Sequence, residues 1–284
     1  PTMVLVFFPS FVPVKPQTKE QKMNATELKS LAKQLGADLV GIAPRERWAD
    51  LPPNQNPLSI MPQCQSVIVI GRKILRGAFR GVEEGTNFGS TYNMYGQSWM
   101  EFTFMPRVVI AITNEIESTG AEAVPMSGGT PAGENVSINV NTMANLAGLG
   151  AVGKGGFFLT RQYGIRQRFA YILTDAVLDG DPIDTPDFCD GCDACIKACP
   201  LNAYRPDNSI DTKFCNACSN GRTGGSALSC APLDRFAASC GRACIVATED
   251  KIQEKFSSPF RKRAVWTRDF FGVPTVTPLE DGGK

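Results

Sequence analysis

Nine of the chain's ten cysteines lie between Cys189 and Cys244, a clustering that suits metal binding better than a disulfide scaffold spread through a fold. Cys189, Cys192, Cys195 and Cys199 follow one another as C-x2-C-x2-C-x3-C, with Pro200 directly after. In the bacterial ferredoxin run, three thiolates of this kind hold one 4Fe-4S cubane and the fourth points at a neighbouring cluster. The short gaps let a tight loop wrap three corners of a cube, and Pro200 closes the turn that Cys199 begins. A zinc ribbon or a disulfide knot is the competing reading. The second group is Cys215, Cys218, Cys230, Cys240 and Cys244. Cys240-x3-Cys244 reproduces the tail of a second run, but Ala237 stands where its third cysteine would be, so the missing ligands must come from upstream. Two-cluster logic then assigns Cys189, Cys192, Cys195 and Cys244 to one cubane. Cys199 and Cys240 go to the other, with two of Cys215, Cys218 and Cys230, of which Cys215 and Cys218 are taken as the ligands. One cysteine is surplus, and a single cluster with structural cysteines is the plainer alternative. Cys64, far away in sequence, reads as a small core hydrophobe.

The rest of the composition removes much common chemistry. The 284 residues contain no histidine, which excludes imidazole-ligated zinc and haem and the histidine-dependent hydrolases. With 43% hydrophobic residues the chain buries an ordinary core. Its 29 basic and 28 acidic residues leave a net charge of +1 with no long run of one sign, so nucleic acid is not the expected partner. No apolar stretch reaches the roughly 18 to 20 residues of a membrane span. The run from Met3 to Val14 is broken by Pro9 and Pro13 and lacks the basic flank of an export signal. The expected setting is the cytoplasm, without a membrane partner.

Elements that must position the cysteines are legible upstream. Residues 1–22 read as an extended, proline-punctuated leader, and Asn24 to Glu27 as a capping box opening a helix that stops at Gly36. Strands are expected at 37–42, 66–70 and 121–126, a helix at 107–118, another at 138–146, and a strand at 166–174. The glycine-rich stretch 77–96 reads as a loop. The alternation gives an α/β domain over 23–185, a ferredoxin-like 4Fe-4S segment over 186–250 and a wrapping tail over 251–284.

Gly148, Gly150 and Gly153 satisfy G-x-G-x-x-G, yet a helix precedes them and a strand follows, the reverse of a dinucleotide fingerprint. Such a loop can present backbone N–H groups to a cofactor, with Lys154 adding charge, or can serve as a tight helix-to-strand turn. The ordered set Ala147-Gly-Leu-Gly150, Val152-Gly-Lys154, Phe158-Leu-Thr160, Tyr163-Gly164, Ile172-Leu-Thr-Asp175 and the cysteine run resembles the epoxyqueuosine reductase and reductive dehalogenase superfamily. The likeness spans about residues 25 to 250 and is most specific from Ala147 to Pro200.

That resemblance implies a nitroreductase-like α/β (α+β) domain holding a cobalamin, fed by two 4Fe-4S clusters in a ferredoxin-like insert. It implies that Gly148, Leu149, Gly150, Gly153 and Lys154 line the corrinoid site. An ungapped count puts Glu134 where epoxyqueuosine reductases carry an aspartate proton donor, and reductive dehalogenases use a tyrosine, which nominates Tyr92 and Tyr95. The chain departs from the family in offering Tyr92-Asn-Met-Tyr95-Gly96 where a Tyr-Gly-Asp-Tyr-His type stretch is usual. With no histidine for the lower face of cobalt, a bound corrinoid would be base-off. The implied activity is corrinoid-dependent reduction of an unknown small molecule, with a ferredoxin or flavodoxin as low-potential donor. The alternatives are an electron-transfer module without corrinoid and a flavin-binding version of the fold.

Overall fold

A computed structural model describes residues 23–128, 135–218, 234–260, 264–268 and 274–278. Helix α1 (Ala25–Gln34) opens on the expected capping box: the Asn24 side chain accepts from the Glu27 amide at 2.9 Å, and the Glu27 carboxylate accepts from the Asn24 amide at 3.2 Å. Gly36, at φ +105°, takes the chain out of the helix in a conformation that side chains resist. Strand β1 (Leu39–Pro44) leads to β2 (Ser66–Lys73). After these come α2 (Arg80–Glu84), α3 (Met105–Ser118), β3 (Ala123–Met126), α4 (Val140–Leu146), β4 (Ala151–Val152), β5 (Phe158–Leu159) and β6 (Gln167–Thr174).

The main sheet has the order β1-β2-β6-β3, and every pairing in it is antiparallel. It is therefore a mixed helix-and-sheet fold built on antiparallel strands. Because side chains alternate along a strand, the two central strands serve two cores at once. Ile68, Ile70, Ala170 and Ile172 face α1 and α3, against Leu28, Val108, Ile112 and Ile116. Val67, Val69, Phe169, Tyr171 and Leu173 face the other way, against Met143 and Ala144 of α4 and the indole of Trp48. Cys64 is fully buried in this second core, and burial pushes its thiol up to about 11, so it behaves as an apolar filler.

The stretch read as a glycine-rich loop, 77–96, is instead largely helical. A 3-10 turn (Arg76–Phe79) runs into α2, and π-helical segments follow at Gly89–Ser98 and Met100–Phe104. Phe79, Val82, Phe88 and Tyr92 enter a third core there, so aromatic burial overrides the low helix propensity of the glycines. That core continues through Phe157, Leu159, Phe188, Cys195, Cys244 and Phe260. The tail beyond residue 251 contains two paired strands, β7 (Ala264–Arg268) and β8 (Pro274–Pro278). Among the described residues no helix is long and apolar enough to cross a membrane.

The double-sided sheet makes a direct expectation. Ile172→Ala, at a fully buried position, should cost about 2–5 kcal/mol of stability. Ile110→Ala, on the 60%-exposed outer face of α3, should stay within about 0.5 kcal/mol. Chemical denaturation of the two variants side by side checks this, and equal losses would contradict the placement of the core.

Candidate iron-sulfur site

The first cysteine loop follows Phe188 and turns at Gly191, which sits at φ +66°. It closes on α5 (Ala194–Lys197), a single turn carrying Cys195. Helix α6 (Thr212–Ala217) is capped by Asp211, whose side chain accepts from the Lys213 and Phe214 amides, and it delivers Cys215 with Cys218 just beyond. Helix α7 (Ser239–Thr248) carries Cys240 and Cys244. Four residues apart, they share a helix face but stand about 6 Å apart along the axis.

That offset separates two cavities. Cys189, Cys192, Cys195 and Cys244 line one. Cys199, Cys215, Cys218 and Cys240 line the other. Each quartet draws one member from the other group's stretch of chain, which is the crossed arrangement expected from the spacing. Among the described residues no three such side chains close on a single ion; the thiols stand around spaces instead. Four sulfur donors around a cavity are the donor set of a cubane. Burial pushes Cys195 up to about 11 and raises Cys244, Cys240 and Cys215 as well. Such thiols ionise only where positive charge is brought among them, as iron would do. Cys230 lies outside the described residues.

The glycine loop is a wall of the first cavity. A Cβ at position 153 would stand 2.6 Å from Cys189 Sγ, and one at 155 would stand 3.0 Å from Cys195 Sγ, so a side chain is excluded at the first position and crowded at the second. Lys154 Nζ donates to the Cys192 carbonyl at 3.4 Å. The other loop positions are taken up by packing. Gly148 and Gly150 both have positive φ, and a Cβ there would meet the Pro182 and Leu159 carbonyl oxygens at 2.2 and 2.0 Å. Leu149 packs against the second core, while Val152 is 52% exposed.

The proposed acids separate. Glu134 lies outside the described residues. Tyr95 is exposed and meets Trp99 edge-on at 5.1 Å. Tyr92 is fully buried: its hydroxyl accepts from Arg168 Nη2 at 2.7 Å and lies 3.0 Å from both Asp234 carboxylate oxygens, to which it donates. Arg168 also pairs with Asp234, and with Glu101 at 3.3 Å. Burial first, and then the Asp234 carboxylate, holds the Tyr92 hydroxyl protonated well beyond its ordinary range, although Arg168 pulls the other way. Burial likewise raises the Glu101 carboxyl. Arg168, Asp234, Glu101, Tyr204 and Arg235 were not singled out from the sequence. Arg168 gave a signal, being a charge inside the otherwise apolar strand β6; the others gave none, since only folding brings them to the site.

The two four-cysteine cavities are suited to iron-sulfur clusters. A 4Fe-4S binding domain matches residues 182–205. Tetrachloroethene reductive dehalogenase of Desulfitobacterium hafniense is 29% identical over 244 residues, covering 71% of this chain and 43% of that protein. Epoxyqueuosine reductase of Aliivibrio fischeri is 33% identical over 109 residues, 37% of this chain and 29% of the relative. Among solved structures, epoxyqueuosine reductase of Bacillus subtilis aligns with a TM-score of 0.56 at 16% identity, covering 83% of this chain and 68% of that one. A reductive dehalogenase described as B12-dependent aligns at 0.55 and 18% identity, with 86% and 34% coverage. The chain is thus related to the reductive dehalogenases and the epoxyqueuosine reductases, and it spans less than half the length of the dehalogenase it matches.

The crossing of the quartets can be checked by removing one thiol. Cys199→Ala should lose about half of the bound iron, the half held by the second quartet, and keep the spectrum of the first cubane. Loss of the cluster at Cys189, Cys192 and Cys195 instead would reverse the assignment.

Proposed function

We propose that the chain is a corrinoid-dependent iron-sulfur reductase of a small molecule, working in the cytoplasm with a ferredoxin- or flavodoxin-like electron donor. The observation that carries it is the pair of four-cysteine cavities, the first walled by backbone alone at Gly153 and Gly155. In this reading 23–185 is the corrinoid-binding domain, 186–250 the ferredoxin-like domain, and the described tail beyond 251 packs alongside.

A bound corrinoid would supply a low-potential metal centre able to reduce a carbon–halogen or carbon–oxygen bond, with electrons drawn through the two clusters. Everything else falls to side chains. Cys189, Cys192, Cys195 and Cys244 would hold the inner cluster, and Cys199, Cys215, Cys218 and Cys240 the outer one. The glycine wall keeps bulk away from the inner quartet, so a flat cofactor seated beside Val152 and Lys154 would come close to it. With no histidine in the sequence, these residues would offer a corrinoid no imidazole ligand, consistent with base-off binding. Tyr92 would hold the proton for the reduced product, kept on its oxygen by burial and Asp234 and oriented by Arg168. Glu134 and Tyr95 remain as further acids under the same reading.

A second reading has its own support. Gly148 and Gly150 are accounted for by packing against Pro182 and Leu159, as they would be in a two-cluster electron-transfer protein that binds no corrinoid. Balanced charge favours a small organic substrate over nucleic acid, although an epoxyqueuosine reductase has been solved with a tRNA stem loop.

Anaerobic reconstitution with iron, sulfide and cobalamin should yield about eight irons per chain and stoichiometric cobalt. Its electron paramagnetic resonance should lack nitrogen splitting of the cobalt lines. Iron without cobalt would favour the electron-transfer reading, and nitrogen splitting would reject base-off binding.

A further inference from the structure

The two cysteine quartets are not electrostatically alike. Beside the second lies Arg235, whose Nη2 donates to the Gly155 carbonyl at 3.0 Å and whose Nη1 donates to the Tyr204 hydroxyl at 3.3 Å. Its guanidinium stacks on Phe157, 4.6 Å from the ring centroid, which fixes it in place. The Tyr204 hydroxyl donates in turn to the Gly155 carbonyl at 3.4 Å. Both side chains line the second cavity, and neither lines the first.

Two lysines stand near the first quartet without lining its cavity: Lys154 Nζ donates to the Cys192 carbonyl and Lys251 Nζ to the Phe188 carbonyl.

We infer that Arg235 and Tyr204 raise the reduction potential of the cluster held by Cys199, Cys215, Cys218 and Cys240 above that of the other, so that an electron entering the chain settles first on this outer site. This rests on the two-cluster reading above. The physical reason is general. Reducing a cubane adds one negative charge to a centre already bearing four thiolates. A fixed guanidinium at the cavity wall, held there by Tyr204, stabilises the added charge more than the original one. Arg235 and Tyr204 are tuning residues and touch no reacting atom. Because Arg235 also holds the Gly155 carbonyl, and position 155 abuts Cys195 Sγ, the same side chain buttresses the wall between the cavities.

The test is a redox titration of the reconstituted chain, followed by electron paramagnetic resonance, in wild type, Tyr204→Phe, Arg235→Gln and Arg235→Lys. Wild type should show the outer cluster reducing first. Tyr204→Phe removes only a hydroxyl, and Arg235→Gln removes the charge while keeping a donor. Each should shift the electron's distribution about tenfold towards the inner cluster, about 59 mV for a one-electron couple, with the inner potential unmoved. Arg235→Lys should restore most of the wild-type value. Unchanged potentials in both Tyr204→Phe and Arg235→Gln, or equal shifts of both clusters, would overturn the inference. A wild-type chain that saturates at about four irons would instead remove the two-cluster reading on which it stands, which separates the two failures.

Discussion

A buried thiolate is tolerable only where positive charge sits among the sulfurs, and much of this molecule is arranged around that constraint. Cys240 and Cys244 project from α7 one turn apart, each into a different cavity. A rigid helix therefore fixes the separation of the two quartets, and α5, α6 and the glycine wall complete the rooms on either side. Where side-chain volume would intrude on a sulfur, at 153 and 155, there is glycine. Beside the second quartet there is Arg235, stacked on Phe157.

A second polar cluster ties this region to the sheet. Arg168 from β6, Tyr92 from the π-helical segment and Asp234 from the approach to α7 meet in one buried group, with Glu101 at its edge. Isolated buried charges are costly, but a carboxylate and a guanidinium that satisfy each other and a shared hydroxyl are not isolated. The consequence is positional: the sheet, the irregular helix and the cysteine helix cannot shift independently. Tyr92 also lies among the rings of Phe79 and Phe88, 5.3 and 5.8 Å away, which restricts where its hydroxyl can point.

Relationship to reductive dehalogenases and epoxyqueuosine reductases gives these features a chemical context without dictating them. The solved relatives share the fold at 16–18% identity. The uneven setting of the two quartets follows from residues of this chain, and so does the packing that consumes Gly148 and Gly150. It is in such residues that relatives of one fold diverge in substrate and potential, because a fold positions a site without determining its chemistry.

By itself the sequence determined the elements whose signals are local. The Asn24–Glu27 capping box starts α1, an unbroken apolar run makes β2, a run that alternates and ends apolar makes β6, and the C-x2-C-x2-C-x3-C-P spacing announces a cubane. The truncated second run also suggested grouping Cys244 with the first three cysteines and Cys199 with the later ones, and those are the groups that line the two cavities. Only the tertiary structure decided the antiparallel order of the sheet, the helical state of 77–96, and the company kept by Tyr92, Tyr204 and Cys240. Those outcomes depend on residues far apart in the chain, such as Arg168 with Tyr92 and Arg235 with Gly155. No periodicity or spacing encodes such pairs; burial and charge satisfaction select them once the chain has closed around its cores.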